Sequence, residues 1–214
     1  MDSKTWTRNE FSQSCIPTSC NIIDNFLPDQ QFNEISQVLM GTGMSWNWCD
    51  LVEYPGGSED KYQLTHTIFN SPEGYISPLS RIVQPFIDAL KVKILLRIKA
   101  NLNLRSKEED VRTENFHYDH EFIGSKLPDG TLTSYTSIYY VNTNNGYTLF
   151  KDGNFKVDSV ANRMVIFDSS KLHKVVGCTD EKRRVVINFN YFTHEYGTID
   201  QYQKCLKVFK EANA

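Results

Sequence analysis

Long apolar runs are absent from this chain, and that absence bears first on membranes. No stretch approaches the roughly 20 apolar residues that a helix needs to cross a bilayer. The opening residues, MDSKTWTRNE, contain no cationic segment followed by an apolar one. We therefore expect neither secretion nor membrane insertion, and we predict a cytoplasmic protein.

Cysteines are few and follow no regular spacing. The five cysteines are odd in number and include no CxxC pair; they are Cys15, Cys20, Cys49, Cys178 and Cys205. Disulfide frameworks and thiolate zinc sites both depend on regularly spaced cysteines. The sequence therefore predicts reduced thiols in a cytosolic compartment.

Neither sign of charge predominates. The chain has 23 basic and 26 acidic residues, a net charge of −3 and a pI near 6.0. Domains that bind nucleic acid usually carry a basic surface, so no nucleic acid is expected as a partner. A content of 40% hydrophobic and 23% charged residues is ordinary for a globular protein. The length of 214 residues suffices for one domain, and nothing in the pattern predicts an oligomeric state.

Two amphipathic helices are predicted in the first half of the chain. Apolar residues recur at helical spacing from Phe32 to Leu39, just after Pro28. A second helical pattern covers residues 79–90, where Pro85 should kink or interrupt the helix.

Strand patterns dominate from residue 94 onward. KVKILLRIKANLNL has the character of one long strand, and shorter strands follow in ENFHYD, TSYTSIYYVN, YTLFKD, NFKVD, NRMVIFD, KLHKVVG and RRVVINFNYF. About eight strands after helices predict a mostly β protein with flanking helices and a double-stranded β-helix (jelly roll) core. Within one structural domain, we expect an N-terminal helical support region over 1–93, the jelly-roll core over 94–193 and a C-terminal helix over 194–214.

The segment FHYDH contains a candidate metal-binding pair. His117 and Asp119 lie two residues apart on a predicted strand, so their side chains leave the same face, while His120 points the other way. Five histidines and fourteen aspartates would produce about 0.3 such triplets by chance. The pair therefore needs a third ligand before it indicates a site.

KLHKVV offers that third ligand, His173, on a later strand. Two imidazoles and one carboxylate leave coordination positions open, which suits an iron(II) ion that also binds an organic chelator and dioxygen. For a lone histidine, a satisfied position in the core or at the surface is the commoner role. The residues that follow His173 favour the metal site.

Two arginines begin the strand RRVVINFNYF, ten (183 − 173) and eleven (184 − 173) residues after the last candidate ligand. A guanidinium inside the roll can bind a carboxylate through paired hydrogen bonds. If Arg184 faces inward, Val186, Asn188 and Asn190 do so too. Val185, Ile187 and Phe189 then pack outward. We therefore favour Arg184 over Arg183; a solvated charge at the strand end is the alternative for either residue.

Four segments together, HYDH, IYYVN, NRMVIFDSSKLH and RRVVINFNYF, resemble the 2-oxoglutarate and iron(II)-dependent dioxygenase superfamily. The resemblance covers roughly residues 94–193 and is strongest to the prolyl-4-hydroxylase-like branch, including small phage-type or bacterial members. It implies one set of metal ligands, namely His117, Asp119 and His173. It also implies that Arg184 and Tyr140 bind the far carboxylate of 2-oxoglutarate, whereas Tyr139 belongs to the core.

The resemblance further implies an enzyme that hydroxylates a C–H bond and releases succinate and carbon dioxide. Its cofactors would be Fe(II), 2-oxoglutarate and dioxygen, with ascorbate as a possible reductant. The substrate would be a small molecule or a peptide, for example a prolyl residue or a free amino acid. The loop NNGYTLFKDG departs from the glycine pair and acidic residue that many relatives carry beside the substrate, so the substrate stays open.

Two other functions remain open from the sequence. A cupin-like metalloprotein would use a similar roll without 2-oxoglutarate and would need no inward arginine. A jelly-roll binding module would hold a structural metal or none. Asn101 and Asn103 alternate on the strand before HYDH and either face the funnel or are ordinary asparagines at the end of a strand.

Overall fold

The computed structural model describes residues 20–49, 62–108, 116–119, 126–127, 129–152 and 155–194, together with Lys207 and Glu211. The described residues form two helices, α1 (Asp29–Met40) and α2 (Ser80–Ala89). Their strands are β1 (Cys20–Ile23), β2 (Asn47–Cys49), β3 (Gln63–Asn70), β4 (Gly74–Tyr75), β5 (Ile94–Leu104), β6 (Thr133–Tyr140), β7 (Tyr147–Phe150), β8 (Lys156–Asp158), β9 (Arg163–Asp168), β10 (His173–Val176) and β11 (Arg183–Thr193). The predicted mostly β class with flanking helices is confirmed.

The strands form two antiparallel sheets. The major sheet has the order β1-β9-β6-β11-β5-β3-β2, with β4 paired to β3, and the minor sheet has the order β10-β7-β8. Side chains from both sheets pack together, including Tyr140 and Phe167 of the major sheet and Phe150 and Val157 of the minor sheet. The two sheets thus enclose an interior, as the jelly-roll prediction requires.

The helices cover the opposite face of the major sheet. Phe86 of α2 lies 4.6 Å from the ring of Tyr139 and 4.9 Å from that of Phe189. Ile35 and Leu39 of α1 join the same core. Because side chains alternate along a strand, this apolar packing on one face directs the intervening residues of β5 and β11 into the interior. The prediction that Tyr139 belongs to the core is confirmed.

Pro85 does not interrupt the second helix, contrary to the sequence-based expectation. Helix α2 is continuous through Pro85. The amide that proline lacks would bond only to the carbonyl of Arg81, in the first turn, so a single helical hydrogen bond is lost. Burial of Val83, Phe86 and Ala89 stabilises the helix against that loss.

The N-terminal part contributes more than helical support. Within residues 20–93, β1 to β4 join the major sheet, and β3 pairs with β5 along most of its length. The β3 sequence QLTHTIFN buries only Gln63 and Ile68, so its polarity pattern signals a strand weakly; backbone pairing with β5 forms it. The proposed boundary at residue 93 stays a prediction.

The predicted C-terminal helix falls mainly outside the described residues. Lys207 and Glu211 are helical, and their side chains lie 3.8 Å apart. His120, predicted to point away from the metal site, also lies outside the described residues.

Candidate active site

Three potential metal ligands meet between the two sheets. Backbone hydrogen bonds in both directions, 3.0 and 3.2 Å long, join His117 to His173 at the start of β10. Nε2 of His117 and Nε2 of His173 lie 3.8 and 3.7 Å from Oδ1 of Asp119. All three ligand atoms lie within 4.8 Å of one another. The fold thus brings together the three residues that the sequence nominated.

The orientation of His173 suits a metal ligand. Its Nδ1 lies 3.1 Å from the carbonyl oxygen of Lys171, and since a carbonyl can only accept, Nδ1 carries the hydrogen in this contact. Nε2 is therefore the ring nitrogen that faces Asp119 and that a metal ion would bind. The ring packs edge-on against Phe167, with the centroids 4.9 Å apart. These contacts restrict how the ring can rotate.

Asp119 accepts hydrogen bonds from three side chains. Arg97 donates to its backbone oxygen at 2.9 Å. Asn188 and Asn190 donate to Oδ2 at 3.2 and 3.4 Å, which leaves Oδ1 facing the histidines. Burial alone would raise the pKa of Asp119, but the hydrogen bond and charge of His173 and the charges of Arg97 and His117 outweigh it. The pKa of Asp119 lies well below its ordinary value, so the side chain is an anion at neutral pH.

Arg184 lies in the interior, as its inward register required. It is 1% exposed; its Nε donates to Oγ of Ser159 at 2.8 Å and its Nη2 to Oγ1 of Thr148 at 3.2 Å. The hydroxyl of Tyr140 also donates to Oγ1 of Thr148, at 2.8 Å, and the guanidinium lies over the Tyr140 ring at 5.4 Å. Burial lowers the pKa of Arg184 and raises that of Tyr140 to about 12. Within the described part of the chain, no carboxylate pairs with Arg184.

Arg183 points the other way. It pairs across the sheet with Leu104, and its guanidinium donates to the backbone oxygen of Met40 at the end of α1. Arg184 instead pairs with Asn103. The two arginines therefore lie on opposite faces of the major sheet.

One cavity of about 210 Å³ connects the metal-ligand group with Arg184. Four side chains of β5 line it: Arg97, Lys99, Asn101 and Asn103. The sequence analysis considered only the two asparagines and missed both cations. The signal was present, because in RIKANLN the polar residues alternate with apolar ones that pack toward the helices. No comparable sequence pattern pointed to Thr148 and Ser159, whose hydroxyl groups accept hydrogen bonds from Arg184.

No protein-family model matches this sequence, and no curated protein matches it. Solved structures do. A prolyl hydroxylase from Trichoplax adhaerens, in complex with a peptide of the hypoxia inducible factor, is 16% identical with a TM-score of 0.55, over 92% of this chain and 88% of that one. A 2OG-Fe(II) oxygenase family oxidoreductase from Burkholderia pseudomallei is 10% identical with a TM-score of 0.54, over 84% and 87%.

A non-heme, alpha-ketoglutarate-dependent epimerase of nogalamycin biosynthesis is also similar, at 13% identity and a TM-score of 0.53, over 81% of this chain and 78% of that one. At these identities the likeness establishes the fold. The chain has the jelly-roll fold found in 2-oxoglutarate and iron(II)-dependent oxygenases, and the predicted fold is confirmed. Among the described residues, no helix is long and apolar enough to span a membrane.

Proposed function

We propose that this protein is an Fe(II)- and 2-oxoglutarate-dependent dioxygenase that hydroxylates a C–H bond of its substrate. The observation that carries the proposal is the buried guanidinium of Arg184, which has no acidic partner among the described residues and shares a cavity with three metal ligands. An unpaired buried charge is costly, so its position favours an anionic ligand. A dicarboxylate that chelates the metal at one end and reaches Arg184 at the other satisfies both groups.

The donor set fits Fe(II). Two imidazole nitrogens and one carboxylate on one side of an ion are the typical ligands of non-haem iron oxygenases, because they leave positions open for a cosubstrate and dioxygen. The carboxylate of Asp119 is ionised, and the Nδ1 contact of His173 directs its other nitrogen to the ion. A structural zinc site would need a fourth protein ligand, and the described residues supply three to this group.

Bound at this site, Fe(II) with 2-oxoglutarate and dioxygen supplies the oxidation of an unactivated C–H bond. The balanced reaction converts the substrate C–H, 2-oxoglutarate and dioxygen into the C–OH product, succinate and carbon dioxide. Arg184 and Thr148 bind the far carboxylate, and Tyr140 orients Thr148 by hydrogen bonding. Asn188 and Asn190 keep Asp119 in position. The protein contributes orientation, charge and exclusion of water.

Binding of 2-oxoglutarate and its conversion to succinate distinguish a dioxygenase from a cupin-like metalloprotein and from a jelly-roll binding module. The test is an anaerobic titration of the Fe(II)-loaded protein with 2-oxoglutarate, monitored by the visible charge-transfer absorption, followed by exposure to air and quantification of succinate. Binding of 2-oxoglutarate and metal-dependent succinate are expected. A cupin-like metalloprotein would bind the metal but not 2-oxoglutarate, and a binding module would produce no succinate. Either result would refute the proposal.

The substrate is a small molecule or a peptide, and the compartment is the cytoplasm. Cys20 and Cys178 are free thiols in the described part of the chain, which fits a reducing compartment. Fractionation of cells that express the protein tests this location; recovery in a secreted fraction would contradict it.

A further inference from the structure

Two sets of polar side chains in the cavity or next to it form hydrogen bonds within the protein itself. Arg97 and Asn190 bond to each other and to Asp119. Arg184 donates to two hydroxyl groups at the far end. Neither set needs a substrate for its hydrogen bonds, although Arg184 lacks an anion.

A third set is not satisfied. It consists of Lys99, Asn101 and Asn103 of β5 and Gln63 of β3, which all line the cavity. Among the described residues, none of these four side chains has a hydrogen-bond partner or a close ion-pair partner. One cation and three amides thus face the cavity with their polar groups available.

Two amide oxygens in this part of the cavity have no donor in the described residues. Oδ1 of Asn101 and Oδ1 of Asn188 are buried without a hydrogen-bond partner, and both residues are only 7% exposed. The Nδ2 group of Asn188 donates to Asp119, which turns its Oδ1 away from the carboxylate. A buried acceptor without a donor is unfavourable, and an N–H or O–H group of a bound molecule would satisfy both oxygens.

Lys99 lies at a different level of the cavity from Arg184. Across the sheet, Lys99 pairs with Asn188, whereas Arg184 pairs with Asn103. Four strand residues therefore separate the two levels, or about 13 Å. Because Asn188 contacts Asp119, Lys99 lies at the level of the metal ligands. Burial and the charge of Arg97 lower the pKa of Lys99, while Asp119 and Cys49 oppose this shift; an anion beside Lys99 would stabilise its charged form.

We propose that the substrate is a small carboxylic acid with a neighbouring N–H donor, a free α-amino acid, whose carboxylate binds Lys99 and whose ammonium group donates to Asn101 and Asn188. This inference rests on the proposed function and extends it to the class of substrate. A prolyl residue inside a peptide has neither a carboxylate nor an ammonium group, since its carboxyl group is an amide and its own nitrogen carries no hydrogen. The cavity therefore favours a free amino acid over an internal prolyl residue.

The carboxylate beside Lys99 has a second conceivable source, the C1 carboxylate of 2-oxoglutarate, and the experiment separates the two. Full-length protein is loaded with Mn(II) and 2-oxoglutarate, so that no turnover occurs. The twenty free L-α-amino acids and their carboxamides are then titrated by calorimetry. We expect at least one amino acid to bind and its carboxamide, which lacks the anion, to bind about tenfold more weakly or worse.

The variant Lys99→Met should weaken binding of that amino acid about thirtyfold or more, with 2-oxoglutarate affinity changed less than about threefold. Lys99→Arg should retain most of the binding, since it keeps the charge. Lys93→Met is the matched control, because Lys93 is exposed immediately before β5, and it should bind as wild type does. The acid-to-carboxamide comparison needs no variant and therefore does not depend on how Lys99→Met folds.

Three results would overturn the inference. If 2-oxoglutarate binds but no free amino acid does, the substrate class is wrong while the proposed function stands. If Lys99→Met loses 2-oxoglutarate and keeps the amino acid, Lys99 serves the cosubstrate. If wild-type protein with Mn(II) does not bind 2-oxoglutarate, both the proposed function and the inference fail.

Discussion

Replacing Arg184 by methionine tests the cosubstrate site and separates binding from folding. The side chain is 1% exposed and has no acidic partner among the described residues. Methionine keeps an unbranched apolar stem and removes the charge. Exchange of a buried ion pair for apolar groups of similar volume is often neutral, or stabilising by about 1–4 kcal/mol, and a buried charge without an acidic partner has less Coulombic energy to lose. We therefore expect Arg184→Met to unfold, without 2-oxoglutarate, at a temperature close to or above that of wild type.

With 2-oxoglutarate bound, Arg184→Met should be less stable relative to wild type, because the variant binds the ligand more weakly. Leaving a buried carboxylate unpaired costs about 2–5 kcal/mol, or about thirtyfold to several thousandfold in affinity. At a concentration 100 times its Kd, 2-oxoglutarate would stabilise wild type by about 2.7 kcal/mol. The same concentration would stabilise the variant by at most about 0.9 kcal/mol. At about 2–4 °C per kcal/mol for a chain of this size, wild type gains about 5–11 °C and the variant less than about 4 °C.

The assay is thermal unfolding of the Mn(II)-loaded protein with and without 2-oxoglutarate. Arg183→Met is the matched control, since the Arg183 guanidinium contacts the end of α1 and not the cavity, and it should keep the full ligand shift. Arg184→Lys should recover only part of the shift, because lysine restores the charge without the paired donors. A full shift in Arg184→Met, or a loss confined to Arg183→Met, would refute the reasoning.

Four further variants probe other parts of the molecule. His117→Ala should abolish metal binding, measured by metal content, and still give a folded circular dichroism spectrum, because the metal lies at one end of a preformed roll. Tyr140→Phe should weaken 2-oxoglutarate binding about fivefold, by loss of a hydrogen bond worth about 1 kcal/mol. Gly146→Ala should raise the KM for 2-oxoglutarate with metal content unchanged, because its Cβ would lie 2.9 Å from Cδ of Arg184. Asp24→Asn should cost at most about 1 kcal/mol at neutral pH. A hydrogen bond from an arginine lowers the Asp24 pKa from 3.8, so this contribution is complete above that pH and is lost as the pH falls through the lowered value.

Each of these expectations has a contrary outcome. Retained metal in His117→Ala would remove that ligand from the site, and an unfolded variant would indicate a structural metal. Unchanged 2-oxoglutarate affinity in Tyr140→Phe, or an unchanged KM in Gly146→Ala, would mean that the Arg184 end of the cavity does not bind the cosubstrate. For Asp24→Asn, an equal difference from wild type in unfolding free energy at pH 7 and pH 2.5 would contradict the pKa argument.

Local patterns in the sequence were sufficient to predict the class of fold and the face on which key residues lie. Alternation along a strand depends only on neighbouring residues, so the choice of Arg184 over Arg183 could be made from the apolar residues that follow. The strand predicted for ENFHYD is wrong in its described residues 116–119, which form only an isolated β-bridge at His117. His117 and Asp119 nevertheless meet at one place, as their spacing predicted. Helical periodicity predicted α1, but the rule for proline overstated the effect of Pro85, because the rule takes no account of tertiary packing.

Only the tertiary structure decided which residues meet. Lys99 acquires its proposed role from cross-strand pairing with Asn188 and proximity to Asp119, which are 89 (188 − 99) and 20 (119 − 99) residues away in the chain. Thr148 and Ser159 contact Arg184 only because the minor sheet closes over the major one. The physical reason is that a residue's face follows from its immediate neighbours. Its partners follow from the register between distant strands, which the packing of the whole core determines.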